Sequence, residues 1–138
     1  MTVDNNFSGG IVADGFDTAT LRLDVTGATI TNNNDGVALS ANNGLTQFDI
    51  DNNDFTGQDF ANISLLKAAF STGGTLEGAI RNNSPIDTAN GRPADGIVVF
   101  QAGGGALRTS ITNNTFNYGG TQRVILVQAG QDGNGSVD

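Results

Sequence analysis

The chain contains no cysteine, no histidine and no tryptophan. Without cysteine there is neither a disulfide framework nor a thiolate metal site. Without histidine, the Ser-His and Cys-His nucleophile pairs, the usual zinc sites and the commonest general base all drop out. Basic residues are scarce as well: six lysines and arginines stand against 14 acidic residues, for a net charge of −8. Arg22, Lys67, Arg81, Arg92, Arg108 and Arg123 are spread along the chain. Nucleic-acid binding is therefore not expected, because neutralising phosphates takes grouped cations. No apolar run approaches the roughly 18 residues of a membrane helix, and the N-terminus lacks the basic-then-apolar order of a signal peptide. Neither membrane insertion nor a targeting signal is read from this segment. An acidic, Asn- and Thr-rich surface leaves room for divalent cations.

What the chain does contain is one short phrase five times over: Val3-Asp4-Asn5-Asn6, Ile30-Thr31-Asn32-Asn33, Ile50-Asp51-Asn52-Asn53, Ile80-Arg81-Asn82-Asn83 and Ile111-Thr112-Asn113-Asn114. Recurrence of this kind is the mark of a solenoid, with each copy expected at the same place in a stacked coil. Aligning the copies on the Asn pair exposes three apolar segments per repeat. Before the pair lie Leu107-Arg108-Thr109-Ser110-Ile111 and Leu76-Glu77-Gly78-Ala79-Ile80, whose alternate residues share one face as in a strand. After it come Phe7, Phe55, Ile86 and Phe116, read as a second short strand. The third strand is read at Gly10–Val12, Gly36–Leu39, Ile63–Leu66, Gly96–Phe100 and Val124–Val127. Asparagine suits the bend between the first two, since it tolerates left-handed backbone angles. Counting alternation through the bend points the first Asn of each pair inward, so Asn5, Asn32, Asn52, Asn82 and Asn113 are expected to form a hydrogen-bonded ladder.

Three strands per coil predict an all-β fold: a right-handed parallel β-helix of about five coils, forming a single domain over residues 1–138. At this point the chain resembles the parallel β-helix repeat family, the pectate-lyase-like coils of polysaccharide lyases, phage tailspikes and large bacterial surface proteins. Ile111-Thr112-Asn113-Asn114-Thr115-Phe116 and Asp95-Gly96-Ile97-Val98-Val99-Phe100 carry the likeness. It implies a fold rather than an activity, since the same coil serves many functions. It also implies a secreted or cell-surface bacterial parent.

The closing Ser136-Val137-Asp138 echoes the opening Thr2-Val3-Asp4. The two ends are therefore expected to share one phase of the coil, as in an excised or engineered piece of a longer solenoid, and to favour head-to-tail association with a second copy.

The longer loops, 56–62, 87–95 and 117–123, offer a glycan contact built from Arg92, Asp95, Tyr118 and Arg123, with Tyr118 as stacking platform. No carboxylate pair stands out as a glycosidase couple, and no lyase motif is present, so catalysis is not expected. Two segments have the alternating oxygen ligands of a calcium loop: Asp132, Asn134, Ser136 and Asp138, and the Asp49-Asp51-Asp54 cluster. The expected role is a structural module, a rigid stalk or adhesin-like segment with no cofactor other than calcium. The alternative is a carbohydrate-binding or polysaccharide-degrading coil.

Overall fold

The computed structural model describes residues 1–68, 71–88, 94–119 and 122–130, together with the backbone of 136–137. Its strands make three parallel sheets of five. Sheet A holds the short strands β1 (Thr2–Asp4), β4 (Thr29–Thr31), β7 (Asp54–Thr56), β10 (Ile86–Asp87) and β13 (Phe116–Asn117). Sheet B holds β2 (Gly9–Gly15), β5 (Asp35–Ala41), β8 (Ala61–Lys67), β11 (Asp95–Gln101) and β14 (Ile125–Ala129). Sheet C holds β3 (Thr20–Thr26), β6 (Leu45–Asp51), β9 (Thr75–Arg81), β12 (Ala106–Thr112) and β15 (Ser136–Val137). The chain visits A, B and C in turn, and each strand pairs with its counterpart one coil away. This is a parallel β-solenoid with three strands per coil.

Alternation along each strand sends β-branched and aromatic residues inward, where the register stacks them in columns. Val3, Ile30, Phe55, Ile86 and Phe116 form the column of sheet A. Ile11, Val37, Ile63, Ile97 and Ile125 line sheet B, and Val25, Ile50, Ile80 and Ile111 line sheet C. A second column of sheet C runs Leu23, Phe48, Gly78, Thr109. Glycine at 78 makes room there: an added Cβ would collide with the Phe48 carbonyl oxygen and come within 2.7 Å of its ring.

The five Asn phrases do not share one place in the coil. Asn5-Asn6 and Asn32-Asn33 follow strands of sheet A and form the A-to-B corner, whereas the pairs at 52, 82 and 113 follow sheet C and form the C-to-A corner. The 20-residue gap between the second and third copies therefore crosses from one corner to another. Phe7 is the casualty of aligning them. Phe55, Ile86 and Phe116 are inward residues of sheet A, but Phe7 lies past the A-to-B corner and is fully exposed.

The two ends also differ in phase. Val3 pairs with Ile30 in sheet A, while Val137 pairs with Leu107 in sheet C. The echo between Thr2-Val3-Asp4 and Ser136-Val137-Asp138 is a likeness of residues and not of position.

Candidate functional site

Both Asn corners have the same two-residue construction. The first residue is left-handed: Asn5, Asn32, Asn52, Asn82 and Asn113 have φ between 53° and 57°, and all five are exposed. The inward ladder belongs to the second residue. Asn33, Asn53 and Asn83 are buried and Asn114 is half-buried, while Asn6 of the first coil is exposed and joins the ladder through Asn33. The expected ladder is thus corrected by one position at every corner, because the left-handed residue resets the alternation that the strand had set.

Within each ladder the bonding follows one rule. The backbone N–H of the lower coil donates to the side-chain oxygen of the coil above: Ala28 N to Asn53 Oδ1 at 2.9 Å, Asn53 N to Asn83 Oδ1 at 2.9 Å, and Asn83 N to Asn114 Oδ1 at 3.0 Å. Each ladder Nδ2 then donates down to the last inward carbonyl of the strand below: Val25 O, Ile50 O and Ile80 O. The A-to-B corner repeats the pattern. Asn6 N donates to Asn33 Oδ1 at 3.0 Å, and Asn33 N to Gln58 Oε1 at 2.9 Å. Glutamine stands in for asparagine here, its Nε2 reaching Ile30 O at 2.7 Å. Glycine stands in at the left-handed slot twice, as Gly27 and Gly57 with φ of 62° and 72°. That interchange of Asn with Gly was the available sequence signal: only a left-handed backbone position accepts both.

The third corner, B to C, has a different interior. Gly15, Ala41, Lys67, Gln101 and Ala129 form one column at the end of sheet B. Lys67 is completely buried and faces no carboxylate among its hydrogen-bond partners. Its ammonium donates to Asn42 O at 3.2 Å, Ser71 Oγ at 2.9 Å and Gly73 O at 2.5 Å, and Ser71 Oγ donates in turn to Asn42 O. Burial holds the Lys67 amine below its ordinary value of 10.5. One coil above, Gln101 Nε2 donates to Gly103 O and Gly105 O. Nothing in the Asn phrase pointed to this lysine.

The loop residues chosen for a glycan contact are partly brought together. Asp95 and Arg123 occupy the same column one coil apart: Arg123 Nη2 lies 2.6 Å from Asp95 Oδ2, and the Arg123 backbone N–H donates to Asp95 Oδ1 at 2.9 Å. The hydrogen bond and charge of Asp95 raise the Arg123 guanidinium above its ordinary value. Tyr118 is exposed in the same A-to-B connection. Arg92 lies outside the described residues. In the same column Asp35 has no arginine. Gly9 and Ala61 flank it, one of its oxygens is buried without a partner, and burial raises its carboxyl.

Of the calcium candidates, Asp132, Asn134 and Asp138 lie outside the described residues, and Ser136 is described only as backbone in β15. In the other cluster Asp49 and Asp51 face Arg81, whose Nη2 is 2.6 Å from Asp49 and 3.5 Å from Asp51. The Asp49 hydrogen bond, followed by both charges, raises Arg81. Among the described residues no group of three acidic side chains is placed to hold a metal.

A concave feature that the sequence did not announce lies on the outer face of sheet C. A shallow recess of about 640 Å³ is walled by Arg22, Gln47, Asp49, Glu77, Arg81 and Arg108, with Ala79 in its floor. Small Ala79 sits between large polar neighbours on its own strand and so creates the hollow. Gln47 Nε2 donates to Glu77 Oε1 at 3.0 Å, and Arg108 approaches Glu77 at 3.7 Å. Three of the five arginines thus share this face with four carboxylates, Asp24, Asp49, Asp51 and Glu77. The wall consists of planar hydrogen-bonding groups on a rigid sheet. No family model matches the chain, and neither a curated protein nor a solved structure is significantly similar to it.

Proposed function

We propose that this chain is a rigid structural coil, a stalk or adhesin-like module of a large secreted or surface-exposed bacterial protein of the pectate-lyase-like parallel β-helix kind. The observation that carries this reading is the axial continuity of the polar skeleton. At two of three corners every described ladder amide is satisfied by the coil above or below it. Such a coil is stiff along its axis because bending it would stretch hydrogen bonds and apolar columns together. It is extended by whatever presents the same strands and columns, the next coils of one polypeptide or a second copy. In β14 the apolar Ile125 and Val127 are exposed.

Pulling the chain between two handle domains tests the reading. Discrete ruptures are expected, each releasing about one coil of roughly 30 residues, or about 100 Å of contour. Smooth extension without ruptures would refute the stalk. Sedimentation velocity across a concentration series, with and without calcium, reads self-association and any metal dependence separately.

A second reading, carbohydrate binding, is favoured by the recess on sheet C. A glycan screen with Arg108→Ala and Arg22→Ala as controls tests it. Binding that survives both changes would rule this recess out as its seat.

A further inference from the structure

Among the three Asn-Gly dipeptides of the chain, at 43, 90 and 134, the one at Asn43-Gly44 is described, and both of its residues are dictated by coil stacking. Gly44 passes so close to the coil below that a Cβ would collide with Ala19 O. Asn43 is exposed and bonds upward. Its Oδ1 accepts from Thr72 N at 3.1 Å and from Thr72 Oγ1 at 3.0 Å. No backbone carbonyl among the described residues accepts the Gly44 N–H.

These features place an amide carbonyl polarised by two fixed donors next to a glycine nitrogen whose N–H no described backbone carbonyl accepts. We propose that Asn43 is a self-modification site, at which Thr72 accelerates cyclisation onto Gly44 and loss of the side-chain amide. In the first step the Gly44 nitrogen gives up its proton to solvent base and bonds to Asn43 Cγ. Negative charge develops on Oδ1, where the two Thr72 donors stabilise it as an oxyanion hole does. Collapse breaks the Cγ–Nδ2 bond as Nδ2 takes a proton back from solvent, so ammonia leaves and a succinimide remains. Water then opens that ring at either carbonyl, giving aspartate or isoaspartate. No oxidant or cofactor is needed.

The two products differ in what they do to the corner. Aspartate keeps the backbone and offers Thr72 the same acceptor. Isoaspartate places an extra carbon in the main chain, which shifts Gly44 O away from Thr75 N, now 2.8 Å apart. The modification therefore loosens the register between the second and third coils, in a time set by pH rather than by an enzyme.

The test is peptide mapping by mass spectrometry after incubation at mildly alkaline pH, with the folded chain and the urea-unfolded chain run in parallel. In the urea-unfolded sample, Asn90 and Asn134 give the rate of the same dipeptide elsewhere in the chain. Conversion at Asn43 is expected to be faster folded than unfolded and to rise with pH. Thr72→Val, which keeps the backbone donor and removes the hydroxyl, should slow it about fivefold, the worth of one hydrogen bond. Thr72→Ser should restore it. Should Asn43 convert no faster folded than unfolded, the Thr72 bonds act as a protective clamp and the proposal is overturned. That comparison on the unaltered chain stands even if a variant fails to fold.

Discussion

Removing the side chain of Asn83 is the most direct challenge to the ladder. Four hydrogen bonds run through this one buried amide: its Oδ1 accepts from Asn53 N at 2.9 Å and Asn53 Nδ2 at 3.0 Å, and its Nδ2 donates to Ile50 O at 3.0 Å and Asn114 Oδ1 at 2.8 Å. At about 1 kcal/mol net each, Asn83→Ala should cost about 4 kcal/mol. Much of that falls on the Asn53 N–H, left buried without an acceptor. The neighbouring Asn82 is the control. It is exposed, sits at φ 55°, and its side chain makes one bond, to Asp51 Oδ1. Asn82→Ala should cost only about 1–2 kcal/mol of left-handed strain. Asn82→Gly should be close to neutral, since Gly27 and Gly57 already fill the same slot elsewhere. Urea unfolding monitored by circular dichroism reads all three, with an unchanged slope expected. An Asn82→Ala loss equal to or larger than that of Asn83→Ala would refute the assignment of the ladder to the second asparagine.

Lys67→Ala should cost about 3 kcal/mol by opening a cavity, and Lys67→Met less than half of that because the stem volume is kept. Burial lowers Lys67 below 10.5, so the unfolded chain holds the extra proton and stability should rise as pH climbs from the folded value toward 10.5. Urea midpoints between neutral and alkaline pH should show that rise in the unaltered chain and not in Lys67→Met. Asp35 has the opposite sense for an acid: burial raises it above 3.8, so its cost grows as pH rises from 3.8 through the folded value and persists above it. Asp35→Asn should therefore be more stable than the parent at neutral pH, with the gap closing below pH 3.8; a gap that widens in acid would contradict this. Gly78→Ala, forced against Phe48, should lower stability by about 3 kcal/mol in thermal or urea unfolding.

The strands of sheet B and the inward faces of β9 and β12 were legible because a period of two survives wherever a strand is long enough to repeat it. Residues 76, 78, 80 and 107, 109, 111 do face the interior together. The corners were legible in kind but not in place. Asparagine marks the bend in the sequence, but which of the two side chains faces inward does not follow from it, because alternation cannot be counted through a left-handed residue. The role of Lys67 is not legible in the sequence for a different reason. Its partners are mostly backbone carbonyls, and carbonyls leave no trace in a sequence.

That the same phrase forms two different corners follows from what the phrase specifies. A left-handed residue followed by an inward amide needs only a strand ending below it and another coil above. Both conditions hold at the A-to-B and the C-to-A corners alike. The phrase therefore encodes a bend, and coil length is left to the loops between bends, which explains why same-corner spacings of 27, 30 and 31 coexist with strict strand register. At the two Asn corners each interior amide has a partner 25 to 34 residues away along the chain, so these corners are completed by the neighbouring coil, whereas Gln101 at the B-to-C corner bonds within its own. Stability must then be a property of neighbouring coils taken together, as in other quasi-one-dimensional folds. A break in one rung, by Asn83→Ala or by isoaspartate at Asn43, should therefore weaken the junction between two coils while leaving the columns on either side intact.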